Sequence, residues 1–212
     1  QKYYVTDNHQ DKIRGSFRRL ADSFKKIRKH RKIFLFLIAF FFYIDGVYTI
    51  IDMATAYGSA LGLDTQGLLV ALLVTQIVAF PFAILFGRLA ARYATAKLIT
   101  ICILAYFGIA VFAIFLEHQW QFWLLAVMVG IFQGGIQALS RSEFGKLIPK
   151  ENANEYYGFF DIFGKYATIM GTLLVSVFTQ LTGSSSYGVL SVAVLFIVGF
   201  VLLWKMPEED AR

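Results

Sequence analysis

The sequence is poor in the residues that most often carry catalysis, metal binding or covalent cross-links. It has one cysteine, three histidines and three prolines in 212 residues. A lone cysteine, Cys102, forms no intrachain disulfide and supplies no paired metal ligand. His9, His30 and His118 are dispersed and lack metal-ligand spacing. There is no Asn-x-Ser/Thr site and no Ser-His-Asp arrangement. The stretch from Gly158 to Lys165 superficially resembles a phosphate loop. Its spacing is one residue too long, and Tyr166 stands where Ser or Thr would be needed. No cofactor, no metal and no enzymatic activity are therefore expected. Charge is scarce too, at 16% of residues.

What fills the chain instead is apolar. It is 58% hydrophobic with 22 phenylalanines, and its mean hydropathy is +0.61. That much apolar surface does not fit inside one water-soluble core, so the composition predicts an all-α integral membrane protein. The net charge of +6 is not a nucleic-acid footprint. Residues 1–32 carry eleven Lys or Arg against three Asp, and the rest of the chain is slightly acidic. Within that segment Ile13, Phe17, Leu20, Phe24 and Ile27 follow helical spacing among basic residues, which predicts a basic amphipathic linker helix on the cytoplasmic side. Residues 1–32 are too long and charged for a signal-peptide n-region. With Gln1 at the start, the chain is expected to be a piece of a longer polypeptide.

Six apolar segments follow, each close to the ~20 residues a helix needs to cross a bilayer. They lie at about 33–56, 67–90, 98–116, 121–142, 156–181 and 187–204, so the membrane domain spans 33–206 and leaves 207–212 as a short tail. Connections 57–66, 117–120 and 182–186 contain no Lys or Arg. The opposite side collects the basic N-terminal segment, then Arg88, Arg92, Lys97, Arg141, Lys146, Lys150 and Lys205. The positive-inside rule therefore puts both termini in the cytoplasm.

Polar residues inside the apolar segments mark the candidate site, because charge at depth is expensive and usually functional. The first segment carries Asp45, Tyr48, Thr49 and Asp52 on one stripe. Asp45 lies about 18 Å into its helix, near the midplane, and two acids on one face suit a proton or cation relay. The fourth carries Gln133, Gln137, Ser140 and Arg141. The fifth carries Asp161 and Lys165 four residues apart, at depths of about 8 and 14 Å, a favoured orientation for an ion pair within one helix. Gln133 and Gln137 would either direct hydrogen bonds to a substrate or join helices. The third and sixth segments are nearly devoid of polar groups. A polar, mild, apolar order repeated twice suggests two three-helix repeats, with the first member of each facing a central path and the third facing lipid. Gly130 and Gly134 form a small-xxx-small pair for close helix approach, and Pro81 is expected to kink the second helix.

The turn after the second segment reads Gly87-Arg88-Leu89-Ala90-Ala91-Arg92-Tyr93-Ala94. It resembles the cytoplasmic motif of the major facilitator superfamily at Gly87, Leu89, Ala90 and Arg92, with Ala91 replacing its acid and Ala94 its last glycine. Two longer stretches are more specific. They are Phe42-Tyr43-x-Asp45-Gly46-Val47-x-Thr49-Ile50-Ile51, and Gln137-Ala138-Leu139-Ser140-Arg141-Ser142 followed by Ile148-Pro149 and Phe159-Phe160-Asp161-Ile162-Phe163-Gly164-Lys165. These resemble the branch of vacuolar amino-acid effluxers linked to autophagy in fungi, together with bacterial permease relatives. The resemblance covers 33–206. It implies helices 7 to 12 of a twelve-helix transporter, with a missing N-terminal six-helix half as partner and residues 1–32 as the central loop.

The sequence thus predicts the C-terminal half of a secondary transporter in a bacterial cell membrane. Its solute is small and polar, with amino acids implied by the resemblance. H+ or Na+ is the expected coupling ion. Asp45, Tyr48, Asp52, Gln133, Gln137, Asp161 and Lys165 are the candidate substrate and coupling residues, and Gly87, Arg88, Arg92 and Arg141 the candidate cytoplasmic gate. Two other readings stay open on sequence alone: a self-contained six-helix channel, or an intramembrane enzyme using Asp45 and Asp52 as paired acids.

Overall fold

The computed structural model describes residue 25 and residues 27–206; most of the basic linker and all of the tail lie outside the described residues. Six helical spans are long and apolar enough to cross a membrane. Four are α1 (Arg31–Ala60), α2 (Thr65–Leu89), α3 (Thr95–Phe112, extended by a 3-10 turn Ala113–Phe115) and α4 (Gln119–Leu147). The fifth span is made of two pieces, α5 (Ala153–Tyr166) and α6 (Ile169–Thr182), and the sixth of α7 (Ser185–Ser191) and α8 (Ala193–Trp204). No strand occurs among the described residues.

Local chemistry explains the ends. Asp64 is the N-cap of α2, its carboxylate accepting the Gly67 N–H at 2.7 Å. At the start of α4 the Gln121 side-chain oxygen accepts the N–H groups of Glu117 and His118 at 2.7 and 2.9 Å. Gly183 stops α6 in the left-handed conformation, with φ 69°. The sequence expectation of a kink at Pro81 meets a helix that runs unbroken from Thr65 to Leu89.

The order of burial differs from the simple repeat picture. The first span is the centre of the bundle, with 67% of its most apolar window buried, while the second and fifth are the least covered at 22% and 17%. The third and sixth spans, expected to face lipid, are about half buried at 44% and 50%. The reason is that they pack on each other, and that α3 also packs on α4 and α8 on α1. Tyr106 of α3 stacks on Phe196 of α8 at 5.7 Å, Gly46 lies under the Phe196 ring, and Gly199 lies against Tyr43. Their outer faces, with Ile101, Leu104, Val194 and Ile197, remain exposed as a lipid-facing surface would be.

The small-xxx-small pair in α4 does what its spacing predicts. A Cβ on Gly130 would come within 2.7 Å of the Thr75 carbonyl oxygen, and one on Gly134 within 2.7 Å of the Ala79 carbonyl oxygen. These glycines therefore allow α2 and α4 to touch backbone to backbone. The contact is sealed by Thr75, whose hydroxyl sits between the carbonyls of Ala71 at 2.9 Å and Ala126 at 3.1 Å.

Candidate functional site

The site is a cleft of about 560 Å³ lined by α1, α4 and α5. Its floor is aromatic. Phe40 stacks on Phe160 at 4.1 Å, and Phe160 on Phe144 at 5.0 Å, so three helices share one rigid apolar base. Its polar groups are Tyr48, Gln137, Arg141, Asp161 and Lys165. The charges come from α4 and α5 because helical spacing sets Gln137 and Arg141 one turn apart, and likewise Asp161 and Lys165.

Pairing inside the cleft is not the one that spacing favours. Asp161 bonds across to Arg141, Nη1 to Oδ1 at 3.2 Å, with both side chains about half exposed. The Arg141 guanidinium also lies over the Tyr157 ring at 5.1 Å. Lys165 is exposed to the cleft and has no ion-pair partner among the described residues. The expected Asp161–Lys165 pair is thus replaced by a pair between helices. Arg offers a planar fork that reaches a carboxylate on a neighbouring helix while stacking on an aromatic ring, and no helical periodicity reports that contact. Arg141, expected at the cytoplasmic gate, is therefore part of the cleft lining. Gly87, Arg88 and Arg92 are exposed around the α2–α3 turn and do not line it.

Asp45 lies behind the cleft rather than in it. Its residue is fully buried, and it holds the break in the fifth span. Oδ1 accepts the backbone N–H of Thr168 at 2.8 Å and of Gly171 at 3.0 Å, and the Thr49 hydroxyl at 3.3 Å. Asp45 is thus the N-terminal cap of α6, supplied from another helix. Backbone donors freed within an apolar segment need such a partner, since no bulk water is there to take its place. Oδ1 also sits at the positive end of the α6 dipole. Its second oxygen, Oδ2, is buried without a hydrogen-bond partner among the described residues. The break itself is at Thr168, the one non-glycine residue with positive φ among those described, at φ 112° and ψ −21°.

The polar stripe of α1 therefore divides. Asp45 and Thr49 go to the break, Tyr48 goes to the cleft, and Asp52 is exposed and outside the cleft. Gln137 lines the cleft, whereas Gln133 does not and leaves its Oε1 buried without a partner among the described residues. The break was not legible in the sequence, because Gly164 to Thr182 holds no proline and nothing in it interrupts the helical spacing of its apolar residues. Two signals bear on it in hindsight: Thr168 is a residue type at home at helix N-termini, and Gly171 sits at the third position after it.

With the geometry in place, comparison with known proteins is direct. The family model of Atg22-like vacuole effluxers matches residues 6–212. The chain is 51% identical to the MFS-type transporter YxiO of Bacillus subtilis over its whole length, covering 49% of that protein. It is 28% identical to autophagy-related protein 22 of Saccharomyces cerevisiae, with 91% of this chain aligned to 39% of that protein. A 26% identity to autophagy-related protein 22 of Yarrowia lipolytica covers 98% of this chain and 37% of that one. The chain thus spans about half the length, or less, of the curated relatives it matches. On the strength of the family match, the chain belongs to the Atg22-like vacuole effluxer family.

Proposed function

We propose that this chain is the C-terminal six-helix half of a secondary active transporter that moves a small polar solute by alternating access. Amino acids are the first solute class to test. The observation that carries the reading is the cleft: Arg141, Asp161, Lys165, Gln137 and Tyr48 are gathered over an aromatic floor inside a membrane bundle. Charged groups at such depth pair, line a water-filled path, or both. Lys165, free of an ion-pair partner among the described residues, receives the solute's carboxylate. The Arg141–Asp161 pair receives its ammonium group on the acid side.

An N-terminal six-helix half closes the cleft from the other side, and the least covered spans, the second and fifth, face it. Both termini lie in the cytoplasm of a bacterial cell, on the side where Arg88, Arg92 and Lys97 gather, and those residues serve the gate. Coupling to H+ or Na+ runs through Asp45, whose buried Oδ2 is free to take a proton or to face a cation. The names of the relatives support transport over catalysis.

The test is a thermal-shift screen of the full-length protein in detergent against amino acids, dipeptides and sugars, repeated with Lys165→Ala and Asp161→Asn. An amino acid that raises the Tm of the wild type and of neither variant supports the reading. A ligand that stabilises all three proteins equally removes the cleft from it.

A further inference from the structure

A second cleft, of about 300 Å³, opens further along α1 and the fifth span. Met53, Ala56 and Tyr57 of α1 face Val175, Ser176, Thr179 and Gln180 of α6 there, with Ser185 at the start of α7. It holds no charged residue. The charged cleft is bounded by α1 at Phe40, Ile44 and Tyr48 and by α5, whereas the second is bounded by α1 at 53–57 and by α6. Between them lies the break of the fifth span, which Asp45 reaches from α1 with two hydrogen bonds to its backbone, with Thr49 beside it.

We infer that Asp45 is a positioning residue, the latch of a hinge at Ala167–Thr168 that sets α6 relative to α5 and so divides solvent access between the two clefts. Three observations carry this. The break is not demanded by its own sequence, since a threonine is forced to φ 112° with no glycine or proline there. The N–H of Thr168 goes to Asp45 in place of the Gly164 carbonyl that a continuous helix would use. And Gly171 admits the latch, because a Cβ there would fall on Thr49 Oγ1 and 2.9 Å from Asp45 Oδ1. Without the carboxylate, the fifth span recovers its lost hydrogen bonds by closing into one helix. With glycine at 168, the positive φ carries no steric penalty and the broken form gains. Removal of the latch and relief of Thr168 therefore push the hinge in opposite directions. The inference goes beyond the proposed transport and does not depend on which solute the charged cleft takes.

The experiment is cysteine labelling in membranes holding the full-length protein, with cysteines outside this chain replaced by serine; Cys102 is buried and silent. Gln137→Cys reports the charged cleft and Ser176→Cys the second one. The readout is the ratio of their labelling rates with a membrane-impermeant maleimide reagent. Asp45→Ala is expected to move that ratio at least threefold one way, and Thr168→Gly at least threefold the other. Asp45→Asn keeps an acceptor oxygen for Thr168 and Gly171, so its ratio stays within twofold of the parent. It lacks the titratable group, so ion coupling through Asp45 is lost in this variant while the latch survives, which keeps the two ideas separable. Movement of both variants in the same direction, no movement in either, or an Asp45→Asn ratio equal to that of Asp45→Ala overturns the inference. If Asp45→Ala fails to fold by size-exclusion chromatography, Thr168→Gly decides alone: a shift under twofold overturns it.

Discussion

The Gly171 N–H donates to Asp45 Oδ1 at 3.0 Å between two helices, joining residues 126 apart in the chain. That contact exists because residue 171 has no side chain. An alanine Cβ would collide with the Thr49 hydroxyl and crowd the Asp45 carboxylate.

Gly171→Ala is therefore expected to destabilise the protein by about 1–3 kcal/mol, the range for overpacking a tight site. The same change at Gly158, inside α5 where a Cβ would meet nothing within 4 Å, should cost nothing and gain up to about 1 kcal/mol from the better helix propensity of alanine. Parallel thermal melts of the two variants in one detergent check this. Equal Tm values would mean that α6 yields freely and that Asp45 does not grip it.

A second close approach gives an independent test. Gly134→Ala places a methyl 2.7 Å from the Ala79 carbonyl oxygen and 2.8 Å from the Ala83 Cβ. Backbone does not step aside as a flexible side chain does, so α2 and α4 must separate, at a cost of about 1–3 kcal/mol. The measurement is again the melt, with Gly108→Ala, on open space in α3, as the control that should lose no stability and gain a little from helix propensity.

These two sites differ in how far the sequence disclosed them. Gly130 and Gly134 announce themselves through spacing, because the helix repeat alone puts both on one face. The six spans were equally plain, since bilayer thickness fixes their length. The cleft was half legible: Gln137, Arg141, Asp161 and Lys165 stood out as polar groups in apolar runs. Which of them pair was not legible. The Arg141–Asp161 contact depends on how α4 and α5 cross, and the residues are 20 apart in the chain. The division of the α1 stripe was hidden for the same reason. Asp45 and Asp52 sit on one helix face, but α6 covers only the first of them. Tertiary capping has no local signature, because the residue that caps is on a different helix from the one it caps.

The Arg141–Asp161 pair separates stability from binding. Both side chains are about half exposed, and exposed pairs contribute roughly 0.2–1 kcal/mol. A double-mutant cycle of Arg141→Ala and Asp161→Ala should return a coupling energy in that small range. Each single variant should still weaken solute binding at least tenfold, about 1.4 kcal/mol, once a ligand is in hand. A large coupling energy with unchanged affinity would make the pair a helix fastener and nothing more.

Tyr43 and Ser140 allow a prediction in which the order of two effects is decided by counting protons. Both residues are fully buried and their oxygens are 2.7 Å apart. Ser140 has one hydroxyl proton and gives it to the Ile136 carbonyl at 2.5 Å. The Tyr43 hydroxyl must then be the donor to Ser140. Tyr43→Phe removes that donor and leaves Ser140 bonded to Ile136, so the loss is one ordinary hydrogen bond, about 0.5–1.5 kcal/mol. Ser140→Ala instead leaves a buried phenol donor with nothing to receive it, at about 1–3 kcal/mol. The serine variant should therefore melt below the phenylalanine variant, although serine is the smaller side chain and buries less apolar surface. If Tyr43→Phe proves the more damaging, the proton runs the other way, and Ser140 donates to Tyr43 rather than to its own helix.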